Sequence, residues 1–141
     1  MGRTVQLTAA DGHQLAAYRA DPDGAPRGAV VIVQEIFGVN RHIRSVCDGY
    51  AQDGYVAIAP ALFDRVEHDV QLGYEADDIA RGRAVREGVS LDQALADVEA
   101  AAREVAGAGR TAVVGSHPSH SRERTGPAPS TSQDEILTDR Q

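Results

Sequence analysis

The chain is 141 residues long, with 42% apolar and 25% charged residues and a formal net charge of −7. That length suits one domain with a modest core. The negative charge disfavours nucleic acid and anionic membranes as partners, because binding to either depends on neutralising phosphates. No apolar run approaches a membrane span, and the first residues lack the apolar stretch of a secretory signal. We therefore expect a cytoplasmic protein.

Apolar patterning predicts a hairpin followed by strands that alternate with helices. Asp11-Gly12 is a strong turn signal between two short strands. Asn40 is placed to cap a helix, and Ser90 with Gln93 fits a capping box ahead of another helix. Residues 61–74 are predicted to be a long loop. The predicted strands are residues 4–8, 14–20, 29–33, 55–59 and 111–114, and the predicted helices are residues 41–52, 75–87 and 90–106.

The order of these elements indicates the fold class. The last three predicted strands are continuous apolar runs, typical of strands buried on both faces of a parallel sheet. Strands that alternate with helices imply right-handed crossovers and helices on both sides of the sheet. The predicted fold class is therefore α/β.

The composition changes abruptly after Gly115. Residues 116–141 are rich in serine and proline and poor in apolar side chains, so they cannot bury enough apolar area to offset the entropy of ordering. We divide the chain into a domain at residues 1–115 and a disordered tail at residues 116–141. Because the change takes place within two residues, we also hypothesise a frameshift, which sequencing the DNA downstream of codon 115 would test.

Two segments carry a family resemblance. The run 30–40, with Gln-Glu-Ile-Phe-Gly at its centre and Ile43-Arg44 after it, and the run 53–63 resemble the N-terminal half of the dienelactone hydrolase family. The segment 97–101 is also similar, and the resemblance covers roughly residues 4–115. It implies an α/β-hydrolase-type fold, truncated after the strand that precedes the nucleophile elbow. It also implies hydrolysis of a lactone or carboxylic ester by a Cys-His-Asp triad, with no cofactor.

The same resemblance assigns roles to residues after the first buried strand. Glu35 matches the family's glutamate that controls ionisation of the nucleophile, and Ile36 matches the residue whose backbone N–H helps form the oxyanion hole. Glu35 could instead be a strand-end carboxylate bound to loop backbone, and Ile36 could simply be buried. Arg81 and Arg83 are weak candidates for contact with a substrate carboxylate, and a solvated helix face is the favoured explanation for each.

The chain departs from the family at the nucleophile. The elbow should begin at Gly115, yet the nucleophile position holds His117, followed by Pro118. The sole cysteine, Cys47, lies on the apolar face of a predicted helix far upstream. We therefore expect this chain to be inactive by the thiolate route. Ser116 lacks the small neighbours that an elbow needs, so we do not expect it to replace the thiol.

Other readings of the sequence remain open. His117 and His120 have a zinc-like spacing without further ligands nearby, so no metal is expected. The alternative to a hydrolase is a non-catalytic binding module, or a half-domain that associates with a second chain. An exposed apolar edge at strand 111–114 favours self-association or a complementing C-terminal half. A nucleotide-binding domain is disfavoured because glycine-rich phosphate motifs are missing.

Overall fold

The structure, a computed structural model, describes residues 2–115 and the strand at residues 135–137. Strands and helices alternate along most of the chain after an N-terminal hairpin, as predicted. The elements in chain order are β1 (Gly2–Thr8), β2 (Gln14–Ala20), β3 (Ala29–Val33), α1 (Arg41–Gln52), β4 (Val56–Pro60), a 3-10 helix (Leu62–Arg65), α2 (Ala76–Arg86), α3 (Leu91–Glu104), a second 3-10 helix (Ala106–Ala108), β5 (Thr111–Gly115) and β6 (Glu135–Leu137).

The strands form one mixed sheet in the order β1-β2-β4-β3-β5-β6. The hairpin strand β2 pairs with β4 in antiparallel orientation, whereas β3 pairs in parallel with both β4 and β5. Gly12 adopts a φ of 90° in the predicted turn, a conformation that glycine adopts at little cost. The predicted α/β fold class is confirmed.

Alternate residues of the central strands point to opposite faces of the sheet, so both faces are apolar. Helices pack on each of them. On one face, Val31 and Ile58 pack in a cluster with Ala101 of α3. On the other, Ile32 packs in a cluster with Ile43 and Cys47 of α1. The prediction of strands buried on both faces is therefore confirmed for β3 and β4. It is wrong for β5, whose residues are all partly exposed because β5 lies nearer the edge of the sheet. None of the helices in residues 2–115 has the length and apolar composition to span a bilayer.

The structure describes one short strand in the C-terminal segment. β6 pairs in antiparallel orientation with β5, with Ala112 opposite Leu137 and Val114 opposite Glu135. Along these residues the outer edge of β5 is paired, because its backbone groups offer hydrogen bonds to a further strand. The disordered tail stays a prediction. Residues 116–134 and 138–141, which include Ser116, His117 and His120, lie outside the described part of the chain.

The predicted loop at 61–74 contains a 3-10 helix that supplies a buried ionic contact. The Arg65 guanidinium donates to both carboxylate oxygens of fully buried Asp97 in α3, at 2.8 and 3.0 Å. It also donates to Asp11 in the hairpin turn at 2.8 and 3.1 Å and holds the pKa of Asp11 at about 2. The stability from that lowered pKa is present above pH 3.8 and is lost as the pH falls toward 2. Three distant segments are thereby joined.

We predict that Asp97→Asn lowers the free energy of unfolding by about 3 kcal/mol, because it leaves the buried guanidinium without its main counter-charge. The matched control is Asp11→Asn, which removes a carboxylate that is 49% exposed and should cost less. Urea unfolding of both variants at neutral pH measures the difference. Equal losses for the two variants would contradict the account of this contact.

Candidate active site

The carboxyl ends of three parallel strands meet at one edge of the sheet, which is where α/β proteins place their sites. Val33 at the end of β3 lies opposite Gly115 at the end of β5. Residues 34–40, here called the β3–α1 loop, leave the sheet at this edge. A cavity of about 930 Å³ opens beside them, and its lining includes Gln34, Glu35, Ile36, Arg83, Arg86 and Gly115.

A buried glutamine orients the first peptide of the β3–α1 loop. The Gln34 side chain accepts a hydrogen bond from the Leu62 N–H at 2.9 Å and donates to the Glu35 carbonyl at 3.0 Å. The Gly38 N–H donates to the same carbonyl at 3.2 Å. In a trans peptide the N–H points opposite to the carbonyl, so the Ile36 N–H points away from these two donors. No acceptor within residues 2–115 receives that N–H.

The rest of the loop is held by close backbone packing. Gly38 has a φ of 80°, and a β-carbon there would lie 2.0 Å from the Val70 carbonyl oxygen, so only glycine fits. The Leu72 N–H donates to the Phe37 carbonyl at 2.9 Å. Phe37 itself is buried with Phe63 in a small apolar cluster next to the cavity. The loop is therefore fixed in shape before any ligand binds.

Asn40 has a second role that its capping position does not reveal. Its Oδ1 accepts from the Ile43 N–H at 3.2 Å, which confirms the predicted cap of α1. Its Nδ2 donates to the Leu72 carbonyl at 3.0 Å and to the Tyr74 hydroxyl at 3.3 Å. The buried Asn40 side chain thus joins α1 and the β3–α1 loop to the segment at Leu72 and Tyr74.

Glu35 is half-buried, and its Oε2 atom is shielded from solvent. Removal from water disfavours the charged form, and burial raises the pKa of Glu35 to about 7. A carboxyl group with that pKa carries a proton in part of the molecules at neutral pH. It can therefore give or take a proton near neutral pH.

The arginines of α2 separate into two groups. Arg81, one of the two predicted candidates, pairs with Glu67 on the exposed surface and is not in the lining of the cavity. Arg83 does line the cavity, and so does Arg86, which was not among the predicted candidates. Within residues 2–115 no carboxylate forms an ion pair with Arg83 or Arg86. Arg83 and Arg86 are three residues apart, which places them on one face of the helix. This spacing was the sequence signal that could have indicated Arg86 as a partner of Arg83.

The single cysteine takes no part in this cavity. Cys47 is fully buried between α1 and the sheet, and burial, with a smaller effect of Asp48, raises the pKa of its thiol to about 12. Such a thiol is inert at neutral pH. In the described part of the chain, no group of three or more His, Cys, Asp or Glu side chains is arranged to hold a metal ion.

We predict that Glu35→Gln changes how stability depends on pH. The pKa of Glu35 is about 7 in the folded protein against an ordinary 4.5, so the folded state binds more protons between those values. The free energy of unfolding should therefore fall as the pH rises from 4.5 to 7. The variant should lack this contribution and be more stable than the wild type above pH 7. Urea unfolding of both proteins across this pH range measures the difference in their free energies of unfolding.

The control for this prediction is Glu99→Gln, which makes the same chemical change on the exposed face of α3. Both variants are compared with the wild type between pH 4.5 and 7. If Glu35→Gln and Glu99→Gln give the same profile, Glu35 does not titrate in this range.

Comparison with known proteins gives one matching family and several partial relatives. Residues 15–116 match the Dienelactone hydrolase family. A Synechocystis protein that carries the carboxymethylenebutenolidase name is 46% identical over 88 residues, or 62% of this chain and 36% of that protein. The carboxymethylenebutenolidase of Pseudomonas putida is 32% identical over 101 residues, or 70% of this chain and 42% of that enzyme.

A similar solved structure is one from Klebsiella pneumoniae that carries the dienelactone hydrolase name. It superposes with a TM-score of 0.64 at 32% identity and covers 82% of this chain and 50% of its own. The matched region therefore amounts to about two fifths of these curated relatives and half of the solved structure. It corresponds to the part of the fold that ends with β5 and carries the β3–α1 loop. The chain belongs to the dienelactone hydrolase family.

Proposed function

We propose that this chain forms the carbonyl-binding wall of a site that hydrolyses a lactone or carboxylic ester. The observation that carries the proposal is that Glu35 and Ile36 lie just after β3 and share one cavity with Gly115, at the end of the parallel strand β5. This is the sheet edge at which an α/β hydrolase presents its nucleophile. The cavity is large enough for a small ester or lactone.

The Ile36 N–H is the proposed donor to the substrate carbonyl. When water or a nucleophile attacks an ester, negative charge develops on that oxygen, and a fixed N–H stabilises it. Gln34 and Gly38 hold the preceding carbonyl, so the N–H is oriented in advance. A donor of this kind is worth about 3 kcal/mol of transition-state stabilisation in a complete site.

Glu35 is the proposed proton carrier of the site. Because burial raises its pKa to about 7, it accepts a proton from a neighbouring acid without a large change in free energy. In a complete family site that neighbour is the nucleophile, whose ionisation Glu35 would then control.

The substrate class that fits the cavity is an ester or lactone with a carboxylate. Arg83 and Arg86 line the side formed by α2, and both present guanidinium groups that match a carboxylate in geometry and charge. The relatives are named for a carboxymethylene-substituted butenolide, which has a carboxylate and a lactone carbonyl in one molecule. We propose that such a molecule places its carbonyl at Ile36 and its carboxylate at the two arginines.

This chain does not supply the family's thiol at the elbow position, which is His117. We therefore propose that the chain binds its substrate but does not hydrolyse it alone.

One observation favours the second candidate, a half-domain that associates with another chain. Leu91, in the lining of the cavity, is 73% exposed, and Leu95 one turn further along α3 is 51% exposed. Two large exposed apolar side chains beside a cavity are typical of an interaction surface.

We predict that carboxymethyl-γ-butyrolactone, which carries both groups, shifts the Ile36 amide signal when it is titrated into the labelled chain. Arg83→Gln or Arg86→Gln should each raise its Kd about tenfold, because each removes a charge-assisted contact. The matched control is Arg81→Gln on the same helix, which should bind as the wild type does. If all three variants bind alike, the proposed carboxylate site is wrong.

We predict that the chain alone hydrolyses p-nitrophenyl acetate no faster than buffer does. Its only thiol, on Cys47, is buried and has a pKa of about 12. The measurement is release of p-nitrophenolate at neutral pH, with Cys47→Ser as the control for trace thiol reactivity. Turnover that exceeds the buffer rate and disappears in Glu35→Ala would show instead that the chain is an active hydrolase.

We predict that the chain associates through α3. Light scattering after size exclusion should give a mass above that of the monomer, and Leu91→Ser with Leu95→Ser should restore the monomer by removing exposed apolar area. A sharp monomer peak for the wild type would contradict the half-domain candidate and leave substrate binding untouched.

A further inference from the structure

A glycine stands in the interior of α2, where glycine is less favourable than alanine. Gly82 lies between Arg81 and Arg83 in the middle of Ala76–Arg86 and is buried. Glycine there has greater backbone freedom to lose on folding and no side chain to pack. Because glycine weakens the helix at this position, we expect neighbouring atoms that leave no room for a larger residue.

The reason is a close approach between two backbones. A β-carbon on Gly82 would lie 2.1 Å from the carbonyl oxygen of Ile36, far inside any contact distance. Helix α2 therefore rests directly on the β3–α1 loop at the residue whose N–H faces away from Gln34. Gly49, in the interior of α1, shows the contrast, because a β-carbon there would meet nothing within 4 Å.

Apolar packing and one ion pair also hold α2 in place. Gly82 and Val85 are its buried residues, and Val85 packs in the small cluster that contains Phe37 of the same loop. Gly82 and Val85 thus connect α2 to the β3–α1 loop, while Ile79 packs against the same cluster and Arg81 pairs with Glu67 outside the loop. The distance between helix and loop is set mainly at Gly82, since a backbone contact cannot adjust as a flexible side chain can.

We infer that Gly82 is a positioning residue that sets the distance between the Arg83 and Arg86 guanidinium groups and the Ile36 N–H. This inference rests on the proposed function, because it assigns the two ends of one ligand to these two places. A rigid ligand with a carbonyl at one end and a carboxylate at the other reaches both only at the right separation. Any side chain at position 82 would lift α2 off the loop and misalign the two ends.

The test compares Gly82→Ala with Gly49→Ala, which makes the same change in another helix without a clash. Three probes are titrated and followed by amide NMR: carboxymethyl-γ-butyrolactone for both ends, γ-butyrolactone for the carbonyl end, and acetate for the arginines. Gly82→Ala should raise the Kd of the two-ended probe about tenfold, because it loses the advantage of linked contacts. The Kd values of the two single-ended probes should stay within about twofold of the wild type, since each local site survives.

Gly49→Ala should bind all three probes as the wild type does. An unchanged Kd of Gly82→Ala for the two-ended probe would overturn the inference, as would an equal loss for every probe. If the wild type binds none of the probes, the proposed function fails instead. The inference is then decided by the Phe37 amide, which is bonded to the Ile36 carbonyl carbon: its signal should move in Gly82→Ala and not in Gly49→Ala.

If Gly82→Ala does not fold, Val85→Ala serves as the second variant. It loosens α2 from the β3–α1 loop by removing apolar contact, without a clash at Ile36. It should weaken the two-ended probe more than either single-ended probe. Equal effects on all three probes would overturn the claim that the helix–loop distance determines binding.

Discussion

The candidate site depends on close packing of peptide backbone around residues 35–38. The Val70 carbonyl lies against Gly38, and Gly82 lies against the Ile36 carbonyl, so neither contact leaves room for a β-carbon. Between these contacts the Gln34 amide and the Gly38 N–H hold the Glu35 carbonyl. The directions of the Glu35 side chain and the Ile36 N–H follow from this packing. Side chains with alternative rotamers could not hold them as rigidly.

The structure separates what stabilises the domain from what forms the site. The two large apolar clusters lie on either face of the sheet and use α1 and α3, away from the strand ends. The site rests on a third and smaller cluster, which joins the β3–α1 loop to α2 and to the segment around Val70. Substitutions in α2 are therefore expected to change the cavity before they change the stability of the whole domain.

Most of the fold could be predicted from the sequence because its signals are local. Continuous apolar runs indicated β3, β4 and β5, and a capping asparagine marked the start of α1. The position of Glu35 and Ile36 after a buried strand also followed from the pattern. The strand at Glu135–Leu137 did not, because a three-residue strand in a polar segment owes its pairing to the edge of β5.

The missed features of the site are contacts between segments distant in sequence. Arg86 joins Arg83 in the cavity only because α2 docks on the β3–α1 loop, and Gly82 allows that docking. The pair of Arg65 and Asp97 spans 32 residues and looks like two ordinary surface charges in the sequence. Periodicity reports which face of an element is apolar, and it does not report which backbone that face approaches.

The most direct test of the central claim is a crystal structure of the chain with bound carboxymethyl-γ-butyrolactone. We expect the lactone carbonyl oxygen to lie within about 3 Å of the Ile36 nitrogen, with the carboxylate at Arg83 and Arg86. A lactone bound outside this cavity, or an Ile36 N–H already bonded to an acceptor in the protein, would contradict it.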